Sequence, residues 1–480
     1  MKKRPGMTQQ LTVTTFLAAA LALSVSIQPE RSLALTAGRD ILAYNAGTPN
    51  VRPSSCGNLR GRPTELCLVV LISRHSIRSP LAYTPPADLL TKRPAGWPRW
   101  SPPANISGNL SAHGKEVAAA VGAFYRDFYA REQLLPASGT CPAGSDIWVY
   151  ADTSERTIET ADGLIRGLFR GDPSGCGTMV HRTDSSIDAV FKPVQAGSAR
   201  LNVGQAQREI TALAGGPITS LVKRFHGQLA TMQRTLDCCQ PQACTAAGVP
   251  SPCALRDIPT RLVTDRKTGT ISLRGGIAIA GGFADDFLLQ YAEGMPRRHC
   301  SSSPGAPCVG WGQIAPAELR SMLQLYVLKQ TIDNRPNAVA RASGSYIMRQ
   351  ILGALHQKAT AQQRVVVPAA AKFAVFVGHD TNLSNLGGLL RLSWQTSEYP
   401  VNTTPPASAL IFELRRDKTT GGFVVRTLFL TLTPDQLRNP TTVSVSRPPS
   451  RVPLVVAGCE SVDCPLARFS SIVSAATDNR

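Results

Sequence analysis

Three apolar segments, each followed at once by polar or charged residues, most strongly constrain how this chain can fold. They are Leu66–Ser73, Ile147–Ala151 and Phe373–Gly378. An unbroken apolar run of this length is typical of a β-strand that is buried on both faces. Between these segments, Glu116–Arg131 and Thr157–Arg170 place apolar residues on one stripe with helical spacing. Strands that alternate with such helices predict an α/β fold with a mostly parallel central sheet flanked by helices.

The middle of the chain has a different pattern. Helical stretches at Ile210–Leu236 and Ile277–Ala292 lie on either side of a segment rich in cysteine. We therefore predict that residues 185–320 form an inserted, mainly helical second domain. Residues 35–184 and 321–480 would then form the α/β domain.

Residues 1–34 are predicted to be a secretory signal peptide. Basic residues at positions 2–4 precede the mainly apolar stretch Leu11–Ile27, and small residues then precede a cleavage point after Ala34. An uncleaved N-terminal anchor is the alternative, because a stretch of about 17 apolar residues is near the length that spans a bilayer. No later segment sustains about 20 apolar residues. We therefore expect a periplasmic or secreted protein with no stable membrane association after cleavage.

All twelve cysteines follow the predicted cleavage point, which suits disulfides formed in an oxidising compartment. A zinc site is disfavoured because no Cys-x-x-Cys motif occurs. The sequence leaves open the pairing among Cys238, Cys239, Cys244 and Cys253. We expect three pairs elsewhere, namely Cys141 with Cys176, Cys300 with Cys308, and Cys459 with Cys464.

The chain carries a formal net charge of +19. Such an excess attracts anions, including small polyphosphorylated molecules, although it also serves solubility. The basic residues are dispersed, and no Lys/Arg run is interleaved with aromatic residues. We therefore expect no nucleic-acid partner. The oligomeric state is not indicated by the sequence.

The residues directly after the first predicted strand read Arg74-His75-Ser76-Ile77-Arg78-Ser79-Pro80. Open α/β sheets bind ligands beyond the carboxyl ends of their strands, so this loop lies where a site is expected. A histidine can attack phosphorus, and the two flanking arginines can hold the phosphate oxygens. The alternative is a solvated basic loop. The complete Arg-His-x-x-Arg-x-Pro pattern directly after a buried strand favours a phosphoryl-transfer site. In such a site His75 would be the nucleophile, and Arg74 and Arg78 would be phosphate ligands.

A second polar group, Gly378-His379-Asp380, follows the third predicted strand. A carboxyl group such as that of Asp380 can protonate a departing alkoxide and later accept a proton from water. His379 can donate a hydrogen bond to a phosphate oxygen. The alternative is that Asp380 caps the next helix.

A third group, Asp152 to Thr157, follows the second predicted strand. Arg156 would lie near a helix N-terminus and could bring another guanidinium to the phosphate. The alternative is a capped helix with Arg156 in a surface ion pair.

Together these motifs resemble those of the histidine acid phosphatases, and specifically the bacterial periplasmic branch that includes phytases and glucose-1-phosphatases. The resemblance extends from about residue 66 to about residue 470. Beyond the two histidine motifs, it rests on four segments, which are Gly96-Trp97-Pro98-Arg99-Trp100, Ala151-Asp152-Thr153-Ser154-Glu155-Arg156-Thr157, Glu293-Gly294-Met295-Pro296 and Ala457-Gly458-Cys459.

The resemblance implies an acid phosphatase that works without a metal or other cofactor, through a phosphohistidine intermediate. It implies that His75 is the nucleophile and Asp380 the proton donor. It also implies four phosphate ligands, Arg74, Arg78, Arg156 and His379.

Two positions depart from the family pattern. Ser76 stands where most members have glycine, and Leu81 stands where phytases usually have a threonine. By contrast, Thr381-Asn382 resembles the phytases. We therefore expect a small phosphate ester as substrate, with phytate (inositol hexakisphosphate) ahead of glucose 1-phosphate. More distant alternatives are a phosphotransferase like phosphoglycerate mutase and a non-catalytic anion-binding protein.

Overall fold

The computed structural model describes residues 56–57, 61–81, 90–92, 97–136, 146–169, 178–181, 187–295, 314–360 and 365–477. The predicted signal peptide lies outside these ranges. The same holds for the expected bridges from Cys141 to Cys176 and from Cys300 to Cys308. Among the described helices, none combines the length and apolar character that a bilayer-spanning helix requires.

The described residues form ten strands and twelve α-helices. The strands are β1 (Thr64–Arg74), β2 (Ile147–Ala151), β3 (Thr178–His181), β4 (Arg261–Thr264), β5 (Ile271–Arg274), β6 (Phe373–Gly378), β7 (Ala409–Asp417), β8 (Phe423–Thr431), β9 (Ser450–Leu454) and β10 (Asp463–Pro465). The helices are α1 (Ala112–Arg131), α2 (Glu155–Phe169), α3 (Val203–Ala214), α4 (Ser220–Arg224), α5 (His226–Leu236), α6 (Pro241–Ala246), α7 (Gly276–Ala292), α8 (Pro316–Asn334), α9 (Asn337–Thr360), α10 (Asp380–Leu389), α11 (Pro434–Arg438) and α12 (Leu466–Thr477).

Eight strands form one mixed sheet in the order β10-β8-β7-β1-β6-β2-β3, with β9 also paired to β8. The pairs β1–β6, β6–β2 and β2–β3 are parallel. On the other side of β1, strands β7 to β10 extend the sheet by antiparallel pairing. The predicted α/β fold with parallel core strands is confirmed. The antiparallel extension was not predicted from the sequence.

Helices cover both faces of the sheet. The apolar residues of β1 therefore alternate between two cores. Val69 and Leu71 face a core that contains residues of α1 and α2, such as Val121. Val70 faces the opposite core, which contains residues of α9, such as Ile351. This burial on both faces explains why the strand is continuously apolar.

A third core lies in the segment between β3 and β6. Residues of α3, α5, α7 and α8 form it together with the two-stranded sheet of β4 and β5. The helix α8 runs from Pro316 to Asn334, and the same core also includes Val339. The inserted domain with bounds at residues 185 and 320 stays a prediction.

The disulfides between described residues link cysteines that are close in sequence. Cys459 and Cys464 form a bridge, as expected from their spacing. A bridge from Cys56 to Cys67 ties the segment before β1 to that strand. The group left open by the sequence pairs as Cys238 with Cys239 and Cys244 with Cys253.

Candidate active site

The three polar motifs meet at the carboxyl ends of three neighbouring parallel strands. Arg74 ends β1 and is paired in register with Gly378 at the end of β6. The backbone N–H of His75 donates to the carbonyl oxygen of Gly378 at 2.9 Å, and that of Asp152 donates to the carbonyl oxygen of Val377 at 3.0 Å. Segments more than 200 residues apart in sequence are thereby held side by side, at the sheet edge where α/β folds bind ligands.

The ring of His75 is held in one orientation. Its Nδ1 lies 2.8 Å from the carbonyl oxygen of Ser76, so Nδ1 carries the proton and the lone pair is on Nε2. Burial, together with the charges of Arg156 and Arg74, holds the pKa of His75 well below its ordinary value. The imidazole is therefore neutral in mildly acidic solution and able to act as a nucleophile.

Arg74 and Arg78 share one carboxylate. The Nη2 atom of Arg74 lies 2.9 and 2.8 Å from the two carboxylate oxygens of Asp285. Nη2 of Arg78 donates to Oδ2 of the same residue at 3.2 Å. The Nη1 atom of Arg74 also donates to the carbonyl oxygen of Thr404 at 2.6 Å. These contacts fix the two guanidinium groups and offset their mutual repulsion.

Asp285 was missed by the sequence analysis. It lies on α7, where it is followed by Asp286 within an otherwise apolar helix, and both side chains are buried. Two adjacent buried acids in such a helix are the signal that could have revealed an ion-pair partner, because buried carboxylates are rare unless paired.

Arg156 is the second residue of α2, and its Nη2 atom lies 3.4 Å from Nδ1 of His379. Burial and the neighbouring charge of Arg78 lower the pKa of Arg156 to about 10. The group is therefore still fully charged in acidic or neutral solution. The surface ion pair that the sequence left as an alternative is absent among the residues that the structure describes.

His379 is hydrogen-bonded through Nε2 to Oδ2 of Asp152 at 2.6 Å. The Nζ atom of Lys192 lies 2.5 Å from the same oxygen. Burial lowers the pKa of His379 to about 4, although Asp152 acts in the opposite direction. Burial also disfavours the charged form of Asp152, but His379 and Lys192 hold the pKa of that carboxyl below its usual range. Asp152 therefore stays ionised and orients the imidazole.

Asp380 is the first residue of α10, whose N-cap is His379 rather than Asp380. Its Oδ2 atom accepts hydrogen bonds from the hydroxyl of Tyr326 and from Nε2 of Gln330, both at 2.9 Å. Burial raises the pKa of Asp380, but the charges of Arg74 and Arg78 outweigh this and hold it below its ordinary value. Tyr326 and Gln330 belong to α8, and no local sequence pattern indicates their contact with Asp380.

One cavity of about 1170 Å³ connects these groups to the helical segment. Five of the six predicted site residues line it, while Arg74 is fully buried behind them. Its volume exceeds that of most small-molecule sites, so it can hold more than a single phosphate group. The cationic side chains that line it are Arg78, Arg156, Lys192, Arg261, Arg274 and Lys329.

The two departures from the expected pattern occupy different environments. Ser76 is fully buried, and its backbone N–H donates to Oγ1 of Thr160 at 3.0 Å. Its own hydroxyl has no hydrogen-bond partner among the described residues. Leu81 lines the cavity and is 41% exposed. It therefore offers an apolar contact where a threonine would offer a hydroxyl.

The arrangement can perform phosphoryl transfer. It combines a neutral imidazole, three guanidinium groups and a carboxyl group beside one open volume. Fixed cations of this kind stabilise the charge that develops on a transferring phosphoryl group. Within the described ranges, no group of three or more His, Cys, Asp or Glu side chains is placed to hold a metal ion.

Comparison with known proteins gives a consistent result. Residues 65–430 match the family model of the histidine phosphatase superfamily, branch 2. The phytase AppA of Escherichia coli (strain K12) is 30% identical over 417 residues, which cover 85% of this chain and 91% of that protein. A glucose-1-phosphatase of Salmonella typhimurium is 25% identical over 420 residues, which cover 86% of this chain and 92% of the relative.

A solved structure gives the same result at the level of the fold. The Hafnia alvei phytase, in complex with myo-inositol hexakis sulphate, is 28% identical to this chain and superposes with a TM-score of 0.75. The match covers 87% of this chain and 98% of that protein. The similarity therefore includes the sheet and the helical segment above it.

Proposed function

This chain belongs to the histidine phosphatase superfamily, branch 2, and we propose that it hydrolyses phosphate esters with His75 as nucleophile and Asp380 as proton donor. The enzyme class, a histidine acid phosphatase acting on phosphoric monoesters, follows from that membership. The observation that carries the assignment of residues is the orientation of His75, whose Nδ1 is engaged with Ser76 so that Nε2 is available to the cavity.

The first step transfers the phosphoryl group to the protein. The lone pair on Nε2 of His75 attacks phosphorus, the bond from phosphorus to the ester oxygen breaks, and Asp380 gives its proton to the departing alkoxide. Arg74, Arg78 and Arg156 bind the phosphate oxygens during this step. His379 would donate a further hydrogen bond from Nδ1, because the negative charge of the bound phosphate favours the protonated imidazole.

The second step returns the protein to its starting state. The carboxylate of Asp380 takes a proton from water as the water oxygen attacks phosphorus, and the bond to Nε2 of His75 breaks. Inorganic phosphate is released. Once phosphate has left, the charges of Arg74 and Arg78 again favour the ionised form of Asp380, so this proton passes to solvent and another is taken up when the next substrate binds.

A bound phosphate also explains how Asp380 can be an acid. In the empty site Arg74 and Arg78 hold the carboxyl ionised. A phosphate dianion between these groups offsets the positive charge, so the pKa of Asp380 rises when substrate binds. Binding of the substrate is therefore coupled to the uptake of one proton, which Asp380 carries in the complex.

Inositol hexakisphosphate is the substrate that we propose. A cavity of about 1170 Å³ lined by six cationic side chains suits a compact molecule with several phosphate groups. A phytase is the relative with 30% identity, compared with 25% for the glucose-1-phosphatase. Glucose 1-phosphate is the second candidate, because Leu81 offers an apolar contact at the cavity. A passive anion-binding protein would have no use for a carboxyl group placed beside the phosphate ligands.

We further propose that the protein is exported to the periplasm or secreted. The predicted signal peptide supports this, and so do the four disulfides between described residues, since such bridges persist in oxidising compartments.

Substitution of the nucleophile tests the proposal. The variant His75→Ala should lose turnover of phytate, glucose 1-phosphate and p-nitrophenyl phosphate while keeping the circular-dichroism spectrum of the wild type. Rapid alkaline quenching of the wild type during turnover should trap a phosphoprotein that is stable in base and labile in acid. His226→Ala, which changes an exposed histidine outside the cavity, is the control. Appreciable turnover by His75→Ala would exclude the phosphohistidine route.

A further inference from the structure

Two arginines face each other across the small sheet of the helical segment. Strands β4 and β5 are antiparallel, and their register places Arg261 directly opposite Arg274. Both side chains are exposed, and both line the cavity that contains His75. Like charges at directly opposed positions destabilise a sheet. Neither arginine has an ion-pair partner within the part of the chain that the structure describes, so the pair is open to an anion.

The direction of the two arginines is fixed by the other face of the hairpin. Leu262 and Leu273 form the adjacent cross-strand pair, and Leu273 is fully buried in the helical core. Because side chains alternate along a strand, burial of these leucines turns the arginines toward the cavity. Gly275 follows Arg274 with a φ of 95°, and an added Cβ there would lie 2.0 Å from the carbonyl oxygen of Pro259. The end of β5 is therefore tightly held.

The helix α8 connects this pair to the proposed proton donor. Oδ1 of Asp333 accepts the backbone N–H of Leu273 at 2.7 Å, which anchors the residue next to Arg274. One turn earlier on α8, Gln330 donates to Asp380 at 2.9 Å. Residues three apart on a helix have Cβ atoms about 5–6 Å from each other. The arginine pair therefore lies at the same end of the cavity as Asp380.

We propose that Arg261 and Arg274 form a second anion site, which binds a phosphate group of the substrate other than the one under attack. The inference rests on the proposed function, and it narrows the substrate class to esters that carry at least two phosphate groups. Guanidinium groups suit this role because they are permanently charged and match the geometry of phosphate oxygens. The two arginines would contact a phosphate group that takes no part in the reaction, so their interactions are the same in the ground and transition states and act on KM.

The test compares three variants with the wild type. The double variant Arg261→Gln with Arg274→Gln removes both charges, and Arg261→Lys with Arg274→Lys retains them. Arg256→Gln removes an exposed arginine that does not line the cavity and serves as the control. Three quantities are measured for each protein. They are the Kd of myo-inositol hexasulfate by calorimetry, KM for phytate, and kcat/KM for p-nitrophenyl phosphate, which has one phosphate group.

The double glutamine variant should bind myo-inositol hexasulfate about tenfold more weakly, which corresponds to about 1.4 kcal/mol. KM for phytate should rise with it, while kcat/KM for p-nitrophenyl phosphate stays at the wild-type value. The lysine variant should lose less affinity, and Arg256→Gln should match the wild type. The affinity of the wild type should fall steeply with salt concentration, and that of the glutamine variant less steeply.

An unchanged Kd for myo-inositol hexasulfate in the double glutamine variant would overturn the second anion site, as would equal losses on phytate and p-nitrophenyl phosphate. These outcomes leave the proposed phosphatase function intact. Failure of the proposed function would give a different result, namely a wild-type protein that hydrolyses none of these esters. The calorimetric measurement needs no turnover, so it decides the inference in either case.

Discussion

The hydroxyl of Tyr326 lies between the proposed proton donor and a proposed phosphate ligand. It donates to Oδ2 of Asp380 at 2.9 Å, and Nη1 of Arg74 lies 3.2 Å from its oxygen. Burial raises the pKa of Tyr326 well above its ordinary value, so the phenol keeps its proton and remains a donor. One side chain of α8 thus orients Asp380 and favours its ionised form.

Removal of this hydroxyl should alter the pH dependence of catalysis. Tyr326→Phe deletes a hydrogen bond that stabilises the carboxylate, so the pKa of Asp380 should rise. The acid form of Asp380 would then persist to higher pH. The alkaline limb of the kcat profile for phytate should therefore shift to higher pH. The measurement is kcat against pH for the wild type and the variant.

A buried tyrosine elsewhere provides the control. Tyr125 belongs to α1 and is fully buried, and its hydroxyl has no hydrogen-bond partner among the described residues. Tyr125→Phe should leave the profile unchanged. An alkaline limb that stays in place in Tyr326→Phe would show that the phenol does not control the proton donor.

Asp152 should govern the affinity for phosphate through His379. The carboxylate of Asp152 raises the pKa of that imidazole, which burial otherwise lowers. In Asp152→Asn the pKa of His379 should fall further, so bound phosphate would protonate the ring less readily. The inhibition constant of inorganic phosphate near pH 5 should rise by about tenfold, the equivalent of one charge-assisted hydrogen bond.

The matched control is at the other end of the same strand. Asp146 precedes β2 and pairs with Lys372 at 3.0 Å, as Asp152 follows β2 and pairs with Lys192. Asp146→Asn should therefore affect stability without affecting inhibition by phosphate. Equal inhibition constants for the wild type and Asp152→Asn would assign Asp152 a purely structural role.

The sequence was informative where function depends on neighbouring strand ends. Arg74, His75 and Asp380 follow buried strands, so their meeting at one sheet edge could be predicted from apolar runs alone. Asp285 and Tyr326 lie on amphipathic or apolar helices, more than 200 residues from Arg74 in sequence. Which face of such a helix turns toward the sheet depends on packing between distant segments, and no local pattern encodes it.

The same limit applies to the sheet. The continuous apolar run of β1 reveals a strand with two covered faces, as does that of β6. Strand β7 also begins with an apolar run, but it ends in Arg415, Arg416 and Asp417. Its pairing with β1 is antiparallel and is set by tertiary contacts rather than by its own composition.

The hydroxyl of Ser76 should lower the free energy of unfolding. It is buried and unpartnered among the described residues, and a buried polar group without a hydrogen bond is destabilising. We expect Ser76→Ala to raise the free energy of unfolding by about 1 kcal/mol. Urea unfolding monitored by tryptophan fluorescence gives this value.

Ser73 is the matched position, because its buried hydroxyl does donate, to the carbonyl oxygen of Arg74 at 2.9 Å. Ser73→Ala should lower the free energy of unfolding by about 1 kcal/mol, opposite in sign. A loss of stability in Ser76→Ala would mean that the hydroxyl makes a stabilising contact in solution.

The role of Asp380 should be visible in its dependence on the leaving group. Alkoxides of inositol or glucose leave poorly unless they are protonated, whereas p-nitrophenolate leaves readily by itself. Asp380→Asn should therefore lose orders of magnitude in rate on phytate or glucose 1-phosphate. The loss in the rate of phosphorylation by p-nitrophenyl phosphate should be clearly smaller. Single-turnover kinetics are needed, because Asp380 also serves the second step and slow dephosphorylation would mask the difference.

Asp435 is the control for a purely structural effect of this substitution. Like Asp380, it lies in the first turn of a helix and accepts a tyrosine hydroxyl, that of Tyr291 at 2.7 Å, but it does not line the cavity. Asp435→Asn should change neither rate. If Asp380→Asn instead slowed both classes of ester equally, proton donation would have to come from another group. Asp380 would then act only by holding Tyr326 and Gln330 beside the phosphate ligands. Dependence of the rate on the leaving group is the property that distinguishes a general acid from a residue with a structural role.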